Sequence, residues 1–104
     1  METFILLTRL VSEEVNPSFA IQQKEKRVME KIEKFLPDVK WNQSFSITGP
    51  WDYIDIFDAP DKNTAMKVSA LVRYYGGAHT EIWAALEWSK FKETLHELAE
   101  VMEK

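Results

Sequence analysis

Four strand-like stretches and two longer amphipathic stretches follow one another in this chain, and their order limits the possible folds more than any other feature. The strand-like stretches are residues 3–11, 39–48, 53–57 and 78–87, and the helical ones are residues 18–36 and 61–76. The first strand-like stretch is apolar at every position from Phe4 to Leu7, which is typical of a central strand covered on both sides. The others alternate apolar and polar side chains, as half-buried strands do. Each helical stretch places its apolar residues on one face of a helix.

The order strand, helix, strand, strand, helix, strand predicts a ferredoxin-like α+β fold. In that fold one antiparallel four-stranded sheet carries both long helices on a single face. Asp61 is a helix N-cap residue, and Gly76-Gly77 is a helix stop, so the second helix is predicted between them. A further amphipathic helix, which we expect Ser89 to cap, is appended over residues 88–104. We therefore expect one domain over residues 1–104.

Composition and charge argue against several classes of protein. The chain has no Cys, which excludes a disulfide scaffold, a zinc site built on Cys and a Cys nucleophile. Thirteen Lys and Arg against seventeen Asp and Glu give a net charge of −4, whereas a dedicated nucleic-acid binder normally carries a basic face. No apolar run approaches the ~20 residues of a membrane-spanning helix, and the first residues lack the pattern of a signal peptide. We expect a cytoplasmic protein that binds neither nucleic acid nor membranes.

The pairing of the two middle strands predicts which side chains share the uncovered face of the sheet. An even-numbered loop around Gly49-Pro50 places Phe45 beside Ile54, whereas a one-residue slip would set Phe45 against Asp55. An aromatic sheet face usually marks an interface or a groove, and a second copy of the chain is its simplest cover. The side chains expected beneath the helices are Ile54, Ile56, Ile82, Ala84 and Leu86. Those expected on the uncovered face are Ser44, Ser46, Tyr53, Asp55, Phe57, His79, Glu81 and Trp83.

The turn sequence Gly49-Pro50-Trp51-Asp52, followed by an alternating strand and Ala59-Pro60-Asp61, resembles the GYD domain family. Trp51 stands where that family usually has Tyr, and the resemblance extends from the first strand to about Leu86. It implies a dimeric α+β barrel of ferredoxin-like type and little chemistry, because the family is largely uncharacterised in function.

The same turn sequence also has a plain structural interpretation. Gly supplies an unusual φ, Pro fixes the next residue, and Asp bonds nearby backbone N–H groups, which together describe hairpin chemistry. The functional alternative is that Trp51 and Asp52 form the rim of a pocket. The remaining tryptophans, Trp41, Trp83 and Trp88, are predicted to anchor a core or an interface.

His79, Asp55 and Glu81 are the one set of residues in the sequence suited to acid–base chemistry. Glu81 lies two residues from His79 on the same strand face, and a neighbouring carboxylate would raise the pKa of the imidazole and orient it. An exposed histidine with carboxylates in salt bridges explains the same pattern. The three residues also resemble metal ligands, but their spacing matches no ligand motif, so we predict neither a metal nor a cofactor.

Three functions remain open at this point. The first is a homodimeric or higher-order module that binds or senses a small organic molecule in an aromatic and polar cleft. The second is a cofactor-independent enzyme, similar to a monooxygenase or an isomerase, that transfers protons through His79 or Tyr53. The third is a purely structural dimerisation module, although such a module has no need of charged residues, which are costly to bury unless paired. The candidate ligand-binding residues are Tyr53, Asp55, Phe57, His79, Glu81 and Trp83.

Overall fold

The chain folds into a four-stranded antiparallel sheet with two helices on one face and a third helix after the last strand. The computed structural model describes residues 1–11 and 17–103, and only the backbone of residues 17–20. In chain order the elements are β1 (Glu2–Leu10), α1 (Pro17–Phe35), β2 (Lys40–Ser46), β3 (Tyr53–Ala59), α2 (Lys62–Gly76), β4 (Ala78–Ala85) and α3 (Trp88–Met102).

The strands lie side by side in the order β2-β3-β1-β4, and every neighbouring pair is antiparallel. The apolar run of β1 therefore occupies a central strand, as its sequence predicted. The element order and sheet confirm the predicted ferredoxin-like α+β fold.

The core lies between the sheet and the two helices α1 and α2. Phe57 of β3 has no exposed surface, and its ring stacks between Phe4 at 5.8 Å and Trp41 at 5.3 Å, measured between ring centroids. Aromatic pairs at this separation contribute attraction beyond the area they bury. The residues that the helices add to this core are Val28, Ile32, Ala65, Val68 and Val72.

Both ends of α2 have the predicted caps. The carboxylate of Asp61 accepts a hydrogen bond from the backbone N–H of Thr64 at 2.7 Å, which satisfies one of the free donors of the first turn. At the other end Gly77 adopts φ 57° and ψ 51°, a left-handed conformation that glycine enters without the clash a Cβ would make.

The start of α3 differs from the prediction. The helix begins at Trp88, with Glu87 rather than Ser89 at the N-cap position. The backbone carbonyl of Glu87 already accepts the N–H of Phe91 at 3.0 Å, and the Ser89 hydroxyl donates to the Glu87 carboxylate at 3.2 Å. Ser89 therefore lies inside the first turn and cannot cap it. Residue 104, the end of the predicted helix, lies outside the described residues.

The helix α3 projects away from the sheet instead of packing on it. None of its described side chains is buried, and the molecule measures 63 Å along its longest axis against 31 and 17 Å along the others. Its apolar stripe is therefore open to solvent, and it does not cover the sheet. The members of this stripe are Trp88, Phe91, Leu95, Leu98 and Met102.

Strand β2 contains a bulge that breaks its predicted alternation. Trp41 pairs with Phe57 but Gln43 pairs with Ile56, so one extra residue lies between them. A bulge of this kind reverses the side-chain parity on either side of it. Trp41 and Phe45, which uninterrupted alternation over residues 39–48 would place on one face, therefore lie on opposite faces of the sheet.

Candidate functional site

The predicted site residues lie on opposite faces of the sheet. Leu6 of the central strand pairs with Asp55 in β3 and with Ile82 in β4, and directly opposed residues share a face. Its neighbour Leu7 pairs with Ile54 and with Glu81, which places those two on the other face.

The predicted placement of β3 is therefore wrong. Tyr53, Asp55 and Phe57 lie beneath the helices rather than on the uncovered face, and Ile54 and Ile56 lie on the uncovered face. Ser44 pairs with Asp55 and Ser46 with Tyr53, so both serines also lie on the face of the sheet that the helices cover. Leu86, also expected beneath the helices, follows the end of β4 and is exposed.

The reason is that each side of β3 carries large apolar or aromatic side chains, Ile54 and Ile56 on one side and Tyr53 and Phe57 on the other. The pairing predicted within the hairpin is correct, because Phe45 lies opposite Ile54 and Ser44 opposite Asp55. Such a strand can bury either face, and its register with β1 decides between them. The observed register buries the ring of Phe57 completely.

Tyr53 and Asp55 line a cavity between α1, the end of α2 and the sheet. The cavity has a volume of about 120 Å³ and is partly open to solvent. Its apolar wall includes Leu10, Ile21, Val28, Met29, Trp41 and Val72. Its polar and charged contributors are Thr8, Lys24, Glu25, Tyr53 and Asp55.

Asp55 is the half-buried carboxylate of this cavity. Burial raises the pKa of Asp55 and the negative charge of Glu25 raises it further, while side-chain hydrogen bonds with Ser44 and Trp41 offset part of the effect. The indole N–H of Trp41 donates to the Ser44 hydroxyl at 2.8 Å, and this contact holds both groups beside the carboxylate. The bulge in β2 makes this cluster possible, because it turns Trp41 to the side of Asp55.

Tyr53 supplies a hydroxyl close to the same carboxylate. Burial raises the pKa of Tyr53, and the negative charges of Asp52, Glu25 and Asp55 raise it further. A phenol with a raised pKa stays protonated at neutral pH, so it donates one hydrogen bond and accepts others.

The other predicted residues lie across the sheet from the cavity. His79, Glu81 and Trp83 are exposed on the open face, by which we mean the sheet face that α1 and α2 leave uncovered. Asp55 and His79 are thus separated by the sheet, and the predicted trio does not assemble. Among the described residues, no three His, Cys, Asp or Glu side chains lie close enough together to hold a metal ion.

The open face combines apolar and charged side chains. Trp83 is 48% exposed and Phe45 50% exposed, which is unusual for large apolar side chains on a sheet. Other described members of this face include Thr3, Ile5, Leu7, Arg9, Ile54, Ile56, Asp58, His79 and Glu81.

The turn sequence acts structurally. Gly49 has φ 118°, a value that side chains rarely adopt. The Asp52 carboxylate accepts the N–H of Leu10 at 2.8 Å, and the Asp52 N–H donates to the Thr8 carbonyl at 2.9 Å. Trp51 lies against Arg9, with the guanidinium carbon 5.6 Å from the ring centroid. These contacts hold the hairpin against β1, the strand on which the cavity residue Thr8 lies.

Sequence reasoning missed two important cavity residues, Trp41 and Glu25. Trp41 was expected to anchor a core or an interface, and no feature of residues 39–48 marks the bulge that turns its side chain. Glu25 belongs to a helix face in which Lys, Arg and Glu are mixed, and such a face gives no signal for one particular carboxylate.

Structures of known proteins share this fold at low sequence identity. The leucine response regulatory protein LrpA of Mycobacterium tuberculosis matches with a TM-score of 0.59 and 13% identity over 83% of this chain. This chain spans only about half, 51%, of that protein. The protein TTHA0845 of Thermus thermophilus matches with a TM-score of 0.57 and 21% identity, covering 84% of this chain and 95% of that one.

Muconolactone isomerase also matches, with a TM-score of 0.50 and 14% identity over 82% of this chain and 88% of that enzyme. At these identities the likeness shows the fold alone. No curated protein matches the chain. No helix in the described part of the chain is long and apolar enough to cross a membrane.

The sequence profile of the GYD domain matches residues 4–95, from the first residues of β1 into the middle of α3. The match extends beyond Leu86, where the resemblance read from the turn motif ended. It includes the Gly49 turn, the strand that bears Tyr53 and Asp55, and both helices over the sheet. On this match the chain belongs to the GYD domain family.

Proposed function

We propose that this protein is a homodimeric module that binds a small organic ligand in the cavity beneath α1. The observation that carries the proposal is the cavity itself, which has a largely apolar wall and a few polar groups around Asp55. Ligand sites usually have this composition, because apolar contacts supply affinity and a few polar groups fix the orientation. This location replaces the cleft on the open face that the sequence predicted.

The size of the cavity limits the ligand to about one ring. Drug-sized ligands occupy pockets of roughly 300–1,000 Å³, whereas a closed cavity of roughly 150 Å³ is enough for benzene. A cavity of about 120 Å³ with an open side accommodates one ring and leaves a substituent in the opening. Leucine and muconolactone, after which two proteins of the same fold are named, are likewise small organic molecules.

A binding role is better supported than the enzymatic alternative. Proton transfer through His79 would need that side chain beside the bound substrate, but His79 lies across the sheet from Asp55. Tyr53, the other residue considered for proton transfer, does line the cavity, but its raised pKa keeps the phenol protonated at neutral pH, where it is a hydrogen-bond donor rather than a base.

The homodimer is proposed from the open face. Its exposed Trp83 and Phe45, next to Ile54 and Ile56, form an apolar area of the kind that marks interfaces. A specific contact usually covers about 800 Å² on each partner, and a second copy packing sheet against sheet would cover the face.

Ligand binding is tested by measuring the affinity of single-ring compounds for the protein and for two matched variants. Met29→Trp places a large ring in the cavity wall, and we expect it to abolish binding. Met66→Trp makes the same change at an exposed position on α2, and we expect it to leave binding unchanged. Equal affinities of the two variants would contradict the cavity as the binding site.

The dimer is tested by light scattering after size exclusion. We expect a mass of twice 12.2 kDa for the protein and a monomer for Trp83→Glu. Tyr74→Glu is the control, because Tyr74 is an aromatic residue on α2 that is more exposed than Trp83. A monomeric wild-type protein, or a dimer that survives Trp83→Glu, would contradict the proposed interface.

A further inference from the structure

We infer that the ligand of the cavity carries a protonated amino group that pairs with Asp55. The inference rests on the proposed function, because it specifies the chemistry of the molecule that the cavity would bind. Three features of the cavity support it: the acceptor sites of Asp55, the charges around Asp55 and the apolar wall of the cavity.

The hydrogen-bond acceptor sites of Asp55 are only partly occupied. An ionised carboxylate offers about four acceptor sites. Hydrogen bonds with Ser44 and Trp41 occupy part of this capacity on the β2 side of Asp55. Asp55 also lines the cavity, as does Tyr53, whose hydroxyl can accept a hydrogen bond. An ammonium group has three donors and no acceptor, so it matches these oxygens better than a hydroxyl or a carboxylate does.

The charges nearest to Tyr53 and Asp55 are negative. Glu25 from α1 and Asp52 from the turn before β3 add negative charge near the Tyr53 and Asp55 side chains. Lys24 of α1 also lines the cavity, and its ammonium lies 3.9 Å from the position of a Cβ placed on Gly77. That cation therefore lies at the carboxyl end of α2, where the helix dipole is negative.

A cationic ligand would relieve two penalties at once. Burial and the charge of Glu25 both disfavour the ionised form of Asp55 and raise its pKa. A positive charge beside Asp55 favours the ionised form instead. The pairing takes place in a half-buried site, where attraction between charges is stronger than in water.

The wall of the cavity suits a ligand with a small apolar body. Trp41 presents an aromatic ring, and Met29, Val28 and Val72 present apolar groups in the same cavity. A ring or short alkyl chain fits this wall, and an ammonium near an aromatic face gains a further cation–π attraction. The ligand class is therefore a small primary or secondary amine with one ring or a short chain.

The experiment is isothermal titration calorimetry of the full chain with benzylamine, benzyl alcohol and benzoate at about pH 7, where the amine and the acid are both ionised. The three probes share a ring and differ in the charge and hydrogen bonding of one substituent. We expect benzylamine to bind about tenfold more tightly than benzyl alcohol, as a charge-assisted hydrogen bond predicts.

Two matched variants locate the interaction. Asp55→Asn keeps the shape of the side chain and removes its charge. We expect it to lower the affinity for benzylamine by about tenfold and to leave the affinity for benzyl alcohol nearly unchanged. Asp58→Asn is the control, because Asp58 lies on the same strand but on the open face, where Thr3 donates to it at 2.7 Å. Benzylamine affinity should also fall in acid, as protonation removes the charge of Asp55.

The possible results distinguish failure of the amine assignment from failure of the cavity as a binding site. If benzyl alcohol or benzoate binds as tightly as benzylamine, and Met29→Trp abolishes that binding, the amine is the wrong class but the cavity remains the binding site. If Asp58→Asn weakens benzylamine binding as much as Asp55→Asn does, the amine does not pair with Asp55 and the inference is overturned. If none of the three probes binds at millimolar concentration, both the cavity proposal and the inference are overturned.

Discussion

Two adjacent glycines at the end of α2 are predicted to respond to alanine in opposite directions. Gly77 lies in the left-handed region at φ 57°, where an L-residue loses about 1–2 kcal/mol. A Cβ at Gly77 would meet only the Lys24 ammonium, at an ordinary 3.9 Å, so the loss comes from the backbone rather than from a clash. Gly77→Ala should therefore destabilise the protein by about 1–2 kcal/mol.

Gly76 is the last helical residue of α2 and is buried. A Cβ there would lie 3.8 Å from methyl groups of Val28 and of Val72, which is ordinary van der Waals contact. Alanine also has the higher helix propensity, by up to about 1 kcal/mol in a helix interior and less at an end. Gly76→Ala should therefore stabilise the protein by about 0.5 kcal/mol.

The assay is urea unfolding of the two variants at one fixed protein concentration, since dimerisation would make stability depend on concentration. The predicted separation between the variants is about 2 kcal/mol, or roughly 8–16 °C in Tm. Gly77→Asn should recover part of the loss, because Asn tolerates the left-handed conformation. Equal stabilities of Gly76→Ala and Gly77→Ala would refute the conformation assigned to Gly77.

Three further predictions concern single residues. Phe57→Ala should lower the free energy of unfolding by about 3–5 kcal/mol, because it removes a fully buried ring. Urea denaturation of the control Phe45→Ala, which removes a half-exposed ring, should show a much smaller decrease in that free energy. Asp55→Asn should raise the urea midpoint of the ligand-free protein at neutral pH, because folding raises the pKa of Asp55 and the charge of Asp55 therefore opposes folding. Urea midpoints measured over a range of pH should show this stabilisation disappearing as the pH falls through the raised pKa of folded Asp55. Asp61→Ala should lower the urea midpoint, since the backbone N–H of Thr64 holds the pKa of Asp61 below its ordinary value; this difference should be complete above the unfolded pKa and vanish as the pH falls through the folded one.

The element order and the caps of α2 could be predicted because local chemistry determines them. Asp61 can satisfy the free N–H groups of a first turn, and Gly77 enters a conformation that other residues avoid. The pairing of Phe45 with Ile54 was predictable for a similar reason, since a hairpin with a short loop permits few registers.

The side of the sheet that each β3 residue occupies could not be predicted in the same way. Ile54 and Ile56 make one face of β3 apolar, and Tyr53 and Phe57 make the other aromatic, so burial of either is favourable. The choice depends on the register with β1 and on the stacking of Phe57 with Phe4 and Trp41. These contacts join residues far apart in the chain, and alternation within one strand does not reveal them.

The cavity was missed for two connected reasons. The bulge after Trp41 reverses the alternation of β2, and the sequence between Lys40 and Ser46 carries no glycine to mark it. Uninterrupted alternation places Trp41 and Ser44 on opposite faces of the sheet, so the cluster that Trp41 forms with Ser44 and Asp55 cannot be predicted. The candidate residues Tyr53 and Asp55 were then assigned to the same surface as His79.

The location of the bound ligand tests the central claim most directly. A crystal structure of the protein with benzylamine at saturating concentration should show the ring between α1 and β3, with its nitrogen within hydrogen-bond distance of the Asp55 carboxylate. Density for the ring against Trp83 and His79 on the open face would contradict the account, and so would a cavity that stays empty while the compound binds in solution.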